Sequence, residues 1–268
     1  MMRRRDVLRA GALLAAGCAA PTRGRALVVD AHVHAGKGLH YGKEGEAPWT
    51  TWNDPEWTLR KMDEASIDRS VIFPISNATY EKANEEIASF VARWPDRFIG
   101  FAKHDAKTEE GRIRGLLTRE VKELGLRGLK LHGTPSREML ETAAELRIPI
   151  LCHPAKVADL RGPASEWPSI PFLLAHLGSF ASRDWREHLA AIELARALPN
   201  VHLETSSVVF HDYLERAARE LPAEKLVFGS DGPLVDARVE LGKIRLLRLT
   251  PERERLVLGG NILRILGG

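Results

Sequence analysis

The sequence predicts an α/β fold: a single (β/α)₈ barrel, closed by a C-terminal helix. Three observations carry the expectation. Short β-branched or apolar runs alternate with segments of helical periodicity from residue 27 onward. Eight such runs can be read, the count a closed parallel barrel requires. His34, His104, His132, His153, His176, Ser206 and Asp231 each end a different run. Strand ends of a barrel converge on one rim, whereas those of an open doubly wound sheet, the alternative, spread along an edge.

In chain order the expected strands are 27–34, 69–75, 97–104, 128–132, 149–153, 171–176, 201–206 and 226–231. Helical periodicity falls near 56–65, 80–94, 109–124, 136–146, 183–198, 208–220 and 237–248, and a last helix near 251–265 follows strand eight. The stretch 155–168 is rich in Pro, Gly and Ser and is a poor helix candidate. The loop 35–54 is long and carries His40, Tyr41, Trp49 and Trp52, which suits a cover over the mouth of a site or a plain surface loop. No repeat or linker interrupts the body, so residues 27–268 are expected to form one domain.

Residues 1–26 have a different character. A basic start is followed by a short apolar run, Ala10 to Ala16, and then small residues, a signal-peptide layout too short to span a membrane. Arg4-Arg5 before Val7-Leu8 resembles the twin-arginine export pattern, which implies the twin-arginine machinery as a partner and a periplasmic or cell-envelope location. Ala15-Ala16-Gly17-Cys18 resembles a lipoprotein cleavage box, with Ala where Leu is usual; lipidation of Cys18 would anchor the protein to a membrane, and cleavage after Ala20 is the rival.

The formal net charge is +3 and the pI about 8.9. Six arginines of residues 1–25 stand against Asp6 alone, so the body carries a small negative charge and no basic patch for nucleic acid. Cys152 is the body's only cysteine, and no internal disulfide is possible there.

The chemistry gathers at the strand ends. In Asp30-Ala31-His32-Val33-His34 two imidazoles are two residues apart, and side chains alternate across a strand, so His32 and His34 face the same way. His153 closes PILCH, His176 closes PFLLAH and Asp231 closes KLVFGSD. By the same alternation Leu174 shares a face with His176, and Val227 and Gly229 with Asp231. Histidines with an aspartate suit one divalent ion with an open position, zinc first, manganese or iron otherwise. Lys130 and His132, two apart on strand four, are candidates to bind an anionic small-molecule substrate, with Lys130 alternatively paired to Glu204; His104 and Ser206 are further substrate-binding candidates.

DAHVH at 30–34, RGLKLHG at 127–133, PILCHP at 149–154, LLAHLGS at 173–179 and VFGSDGP at 227–233 together resemble the amidohydrolase superfamily. The branch is the amidohydrolase-related one, which includes aminocarboxymuconate-semialdehyde decarboxylase and the pyrone-dicarboxylate lactonases. The resemblance implies His32, His34 and His153 as metal ligands. It makes Asp231 a ligand or the proton-shuttling base, and His176 a non-ligand histidine acting on substrate or water. It implies hydrolysis of an ester, lactone or amide. Non-oxidative decarboxylation at the same site is the alternative, and a non-catalytic metal-binding protein a more distant one. In binuclear relatives Lys130 would be a carboxylated bridge and His176 a ligand to a second metal.

Overall fold

The computed structural model describes residues 26–267. The leader features, Arg4, Arg5, Cys18 and Ala20 among them, lie outside the described residues.

The strands are β1 (Val29–Lys37), β2 (Trp52–Asn53), β3 (Arg69–Pro74), β4 (Phe98–Gly100), β5 (Ala102–Lys103), β6 (Leu129–His132), β7 (Ile150–His153), β8 (Phe172–Leu174), β9 (Val201–Glu204) and β10 (Leu226–Val227). β2 is a short antiparallel addition that pairs Gly36 with Asn53. β4 and β5 are one barrel strand interrupted at Phe101, whose N–H donates to Ile72 O while Ala102 N–H donates to Gly128 O. The remaining pairings are all parallel, in the order β1-β3-β4 and β5-β6-β7-β8-β9-β10. Beyond β10 the chain runs along β1: Ala31 N–H donates to Phe228 O (3.0 Å), Asp231 N–H to His32 O (2.8 Å) and His34 N–H to Gly232 O (2.7 Å). These bonds join the last strand to the first and give the eight-stranded barrel.

Buried apolar side chains separate into two sets. Val29, Ala31, Val71, Phe73, Ile99, Phe101, Leu151, Leu173, Ala175 and Val227 fill the barrel interior, with Ile262. A larger set, including Ile72, Leu129, Leu131, Ile150, Leu174, Leu203 and Phe228, packs the outer face of the sheet against the helices. Each strand buries both faces, as parallel strands between a filled interior and a helical shell must.

The helices are α1 (Pro48–Thr51), a short turn inside the expected loop 35–54, then α2 (Pro55–Ala65), α3 (Glu81–Arg93), α4 (Ile113–Lys122), α5 (Arg137–Leu146), α6 (Ala158–Glu166), α7 (Trp185–Ala197), α8 (His211–Glu220) and α9 (Ala237–Leu246), all but α1 and α6 at expected positions. Several start at side-chain caps: Asp54, Ser136, Asp184 and Asp236 each accept a backbone N–H of the first turn. α6 is a difference. It forms despite Gly162 and Pro163 because Leu160 and Ala164 are buried against the sheet, and packing outweighs propensity.

The C-terminal segment is a continuous helix: α10 (Pro251–Arg255), a π-helical stretch at Leu256–Gly260, and α11 (Asn261–Ile265). Gly259 lies against Leu27 O, where a Cβ would collide with backbone. This approach seats Ile262 in the interior set and plugs the end of the barrel opposite the strand C-termini.

Candidate metal centre and cleft

β1 does not keep a simple alternation. Its pairing with β3 shifts register between Asp30 and Val33. Val29 and Ala31 face the interior, and after the irregularity His32 and His34 do so too, with Val33 turned to the outer set. Asp30, which points outward, locks this segment to the last strand: its carboxylate accepts His32 N–H (3.0 Å), Ser230 N–H (2.8 Å) and Ser230 Oγ–H (2.5 Å).

His32 is fully buried. Its Nδ1–H donates to Glu204 Oε2 at 2.9 Å, which leaves the Nε2 lone pair bare. That nitrogen is buried with no hydrogen-bond partner and lies 3.4 Å from Asp231 Oδ1. His34 Nε2 lies at the same 3.4 Å from Asp231 Oδ1. Burial holds His32, His34 and His176 well below the usual histidine range, so their rings are neutral. Unprotonated nitrogens facing a carboxylate oxygen, with no proton between, form an arrangement that a cation completes. The spacing matches the roughly 3–4 Å between donors around one ion.

His176 joins this group. One donor atom each of His32, His176 and Asp231 lie within 4.8 Å of one another. His176 Nδ1–H donates to Ser206 Oγ (2.9 Å), Ser206 Oγ–H donates to Glu204 Oε2 (2.9 Å), and Glu204 Oε2 also accepts His176 N–H (3.2 Å). Glu204, reached from β9, therefore fixes His32 on β1 and His176 in the turn after β8. The carboxyl sits so deep that burial pushes it up to about 7. Gly229 is required beside it, because a Cβ there would strike Glu204 Oε1 and His32.

The strand alternation expected to carry His176 fails. Leu174 belongs to the outer set, and Leu173 and Ala175 to the interior. His176 reaches the site because the chain turns left-handed at His176 (φ 58°) and Leu177 (φ 49°). This conformation is unfavourable for non-glycine residues. It is held by Glu204 on His176 N–H and by His188, whose Nδ1–H donates to Leu177 O at 2.9 Å. Asp231 is likewise left-handed (φ 61°); its second oxygen accepts Ser207 Oγ–H at 2.8 Å.

His153 closes β7 beside His176, their ring centroids 4.7 Å apart. Burial pushes it down to about 4. It lies in the wall of a cleft of about 250 Å³ formed by His34, Ser76, His132, His153, His176, Phe180, Asp231 and Leu234. His153 is not among the three residues whose donor atoms cluster most tightly.

The other candidates separate. His132 lines the cleft. Lys130 does not: it is wholly buried beneath the histidines, its Nζ without a hydrogen-bond partner and 5.4 Å from the centroid of Phe73. No ion pair joins it to Glu204 among the described residues. Burial pushes its amine down to about 8. Ser206 supports His176 and is not in the cleft wall. His104 is corrected outright. Phe101 faces inward, so alternation turns Lys103 in and His104 out. His104 is clamped between Glu109 (Nδ1, 3.0 Å) and Glu120 (Nε2, 2.7 Å), both ring nitrogens engaged away from the cleft. Lys103 is the residue missed. Its Nζ donates to Pro74 O (3.1 Å), the carbonyl that His34 Nδ1 faces at 3.5 Å. The signal was present, two residues after an inward Phe101.

A (β/α)₈ barrel with histidines and an aspartate gathered at the C-terminal rim is the architecture of a metal-dependent enzyme. The amidohydrolase family profile matches residues 29–268, and the chain belongs to that family. None of the curated protein sequences matches it. Among solved structures, 5-carboxyvanillate decarboxylase from Sphingomonas paucimobilis aligns with a TM-score of 0.71 at 15% identity, over 91% of this chain and 99% of that one. A probable 2-pyrone-4,6-dicarboxylic acid hydrolase from Acinetobacter baumannii gives 0.71 at 16% identity over 90% and 99%. A dihydroxybenzoic acid decarboxylase from Polaromonas, with bound manganese and the inhibitor 2-nitroresorcinol, gives 0.70 at 17% over 91% and 97%.

Proposed function

We propose that the protein is a metal-dependent hydrolase that cleaves an ester, lactone or amide bond of a small organic substrate. The observation that carries this reading is the position of Asp231. One oxygen faces His32 and His34, the other is held by Ser207, and the residue also lines the open cleft.

His32, His34, His153 and Asp231 would hold the ion, zinc first, and the orphaned His32 Nε2 is the atom that fits it best. A bound divalent ion supplies Lewis acidity, polarising a carbonyl and acidifying water at neutral pH. Asp231 takes the proton of the attacking water and returns it to the departing alcohol or amine. His176, held by Ser206, presents its other nitrogen to the reacting group. Phe180 packs on His176 at 5.2 Å and lines that side of the cleft.

Decarboxylation is the second reading, favoured by the aromatic-acid decarboxylases among the similar structures. The metal-loaded protein, offered lactones, aryl esters and aromatic carboxylic acids, separates the two. Release of acid from esters or lactones without carbon dioxide supports hydrolysis; carbon dioxide from the aromatic acids overturns it. The leader resemblance adds an exported location to the proposal.

A further inference from the structure

On the outer side of the barrel wall, under α2 and the start of α9, lies a pocket of about 130 Å³. It shares no lining residue with the cleft over Asp231. Its walls are apolar: Val33, Trp57, Met62, Ile67, Pro233 and Val235. Its polar floor is a row of three side chains from the seam of the barrel: Ser70 on β3, Asp30 on β1 and Ser230 just after β10. Val71 and Phe73 fill the barrel interior, so alternation turns Ser70 outward, and Asp30 is its register partner.

The other charged and hydroxyl side chains of the lining are engaged. Asp30 accepts His32 N–H and both donors of Ser230. Thr58 Oγ1–H donates to Asp54 O at 3.2 Å. Lys61 pairs with Glu64 at 2.7 Å, and Asp236 with Arg238 at 2.7 Å. Ser70 differs. Its side chain is wholly buried, and its Oγ has no hydrogen-bond partner. A hydroxyl both donates and accepts, and buried polar groups are paired as a rule. The partner that fits must come from the pocket that Ser70 lines.

We infer that this pocket is a second ligand site, separate from the metal centre, which takes a neutral molecule the size of one six-membered ring and bonds its single hydroxyl to Ser70 Oγ. Size sets the ring, since apolar cavities of about 150 Å³ take up benzene. Neutrality follows from the pairing of Lys61, Asp236 and Asp30, which leaves no charge for a ligand to meet. The polar group is a hydroxyl because Asp30, beside Ser70, acts as an acceptor and repels a bare carbonyl. Phenols are the ligand class with these properties. The inference is independent of the reaction at the metal centre.

Isothermal titration of the metal-loaded protein tests it, with phenol and toluene as probes of equal size. Wild type should bind phenol with Kd of about 1 mM and prefer it to toluene about fivefold, the value of one net hydrogen bond. Ser70→Ala should bring phenol down to the affinity of toluene while toluene binding holds. Ala237 lines the pocket at the start of α9, and Ala237→Phe places a ring where the ligand would lie. That variant should lose both ligands with its metal content and urea midpoint unchanged. Should it fail to fold, the comparison of phenol with toluene in Ser70→Ala still decides. Binding of neither molecule by wild type means that the pocket takes water only and overturns the assignment. Phenol binding that survives Ala237→Phe places the ligand elsewhere, and a preference for phenol that survives Ser70→Ala removes Ser70 from it; either result overturns the inference.

Discussion

Glu204 Oε2 accepts the Nδ1 proton of His32 at 2.9 Å and so decides which nitrogen of His32 faces Asp231. The same oxygen accepts His176 N–H and Ser206 Oγ–H, so one carboxylate orients two histidines from opposite sides. Glu204→Gln preserves volume but replaces an obligate acceptor with a group that can present a donor to His32. Metal affinity should fall about 10–100-fold, the usual effect of removing a partner of a ligating histidine. Chelator competition measures it; wild-type affinity in the variant would show that the His32 tautomer is set elsewhere.

Asp231→Asn keeps an oxygen near His32 and His34 but removes the base. Activity should drop about 10²–10⁴-fold, with much of the metal retained. His176→Asn should also cut turnover while metal content stays near that of wild type. His176 has a donor atom in the tight cluster with His32 and Asp231, so its metal count is the decisive measurement. Two ions in wild type and one in the variant would make the centre binuclear, with Lys130 as a bridge.

His104 bears on stability at high pH. Burial alone would lower its pKa, but hydrogen bonds to Glu109 and Glu120 overcome this and raise it from 6.5 to about 9. The folded state therefore binds this proton more tightly than the unfolded chain. The contribution is full below about 6.5 and is lost as pH rises through about 9. The difference in Tm between wild type and His104→Gln should be largest near pH 6.5 and shrink steadily as pH rises through 9. A difference independent of pH would mean the ring is neutral.

Ser230 holds Asp30 with both its hydroxyl and its backbone N–H, in the seam between the first and last strands. Ser230→Ala strips one donor from a buried carboxyl. A loss of about 1–3 kcal/mol is expected in urea unfolding. A change below a few tenths of a kcal/mol would show that the seam rests on the backbone bonds alone.

The twin-arginine resemblance predicts that Arg4→Lys with Arg5→Lys blocks export. Fractionation should find the double variant in the cytoplasm; wild-type amounts outside would exclude that route. Mass spectrometry of the mature N-terminus distinguishes a lipidated Cys18 from cleavage after Ala20.

The alternation of apolar runs and helical segments determined the barrel, because each run must bury both faces and each intervening helix must return the chain to the same rim. His132, His153 and Asp231 were legible for that reason: a polar residue ending an otherwise apolar run has the rim as its only outlet. Strict alternation was not enough for the rest. The register shift after Asp30 puts Ala31 and His32 on the same face, which period-two counting forbids. The left-handed turn at His176 sends that ring inward although Leu174 points out. Reading strand three to its last residue selected His104, where the side chain one place earlier, Lys103, is the one that enters the barrel. Each of these depends on partners outside the strand that carries it. Asp30 needs Ser230, His176 needs Glu204 and His188, and His104 needs Glu109 and Glu120. The sequence by itself determined which strands end in a histidine or aspartate at the rim. Only the tertiary structure decided which way each side chain turns, because that choice is made by hydrogen bonds between strands and loops that closure of the barrel brings together.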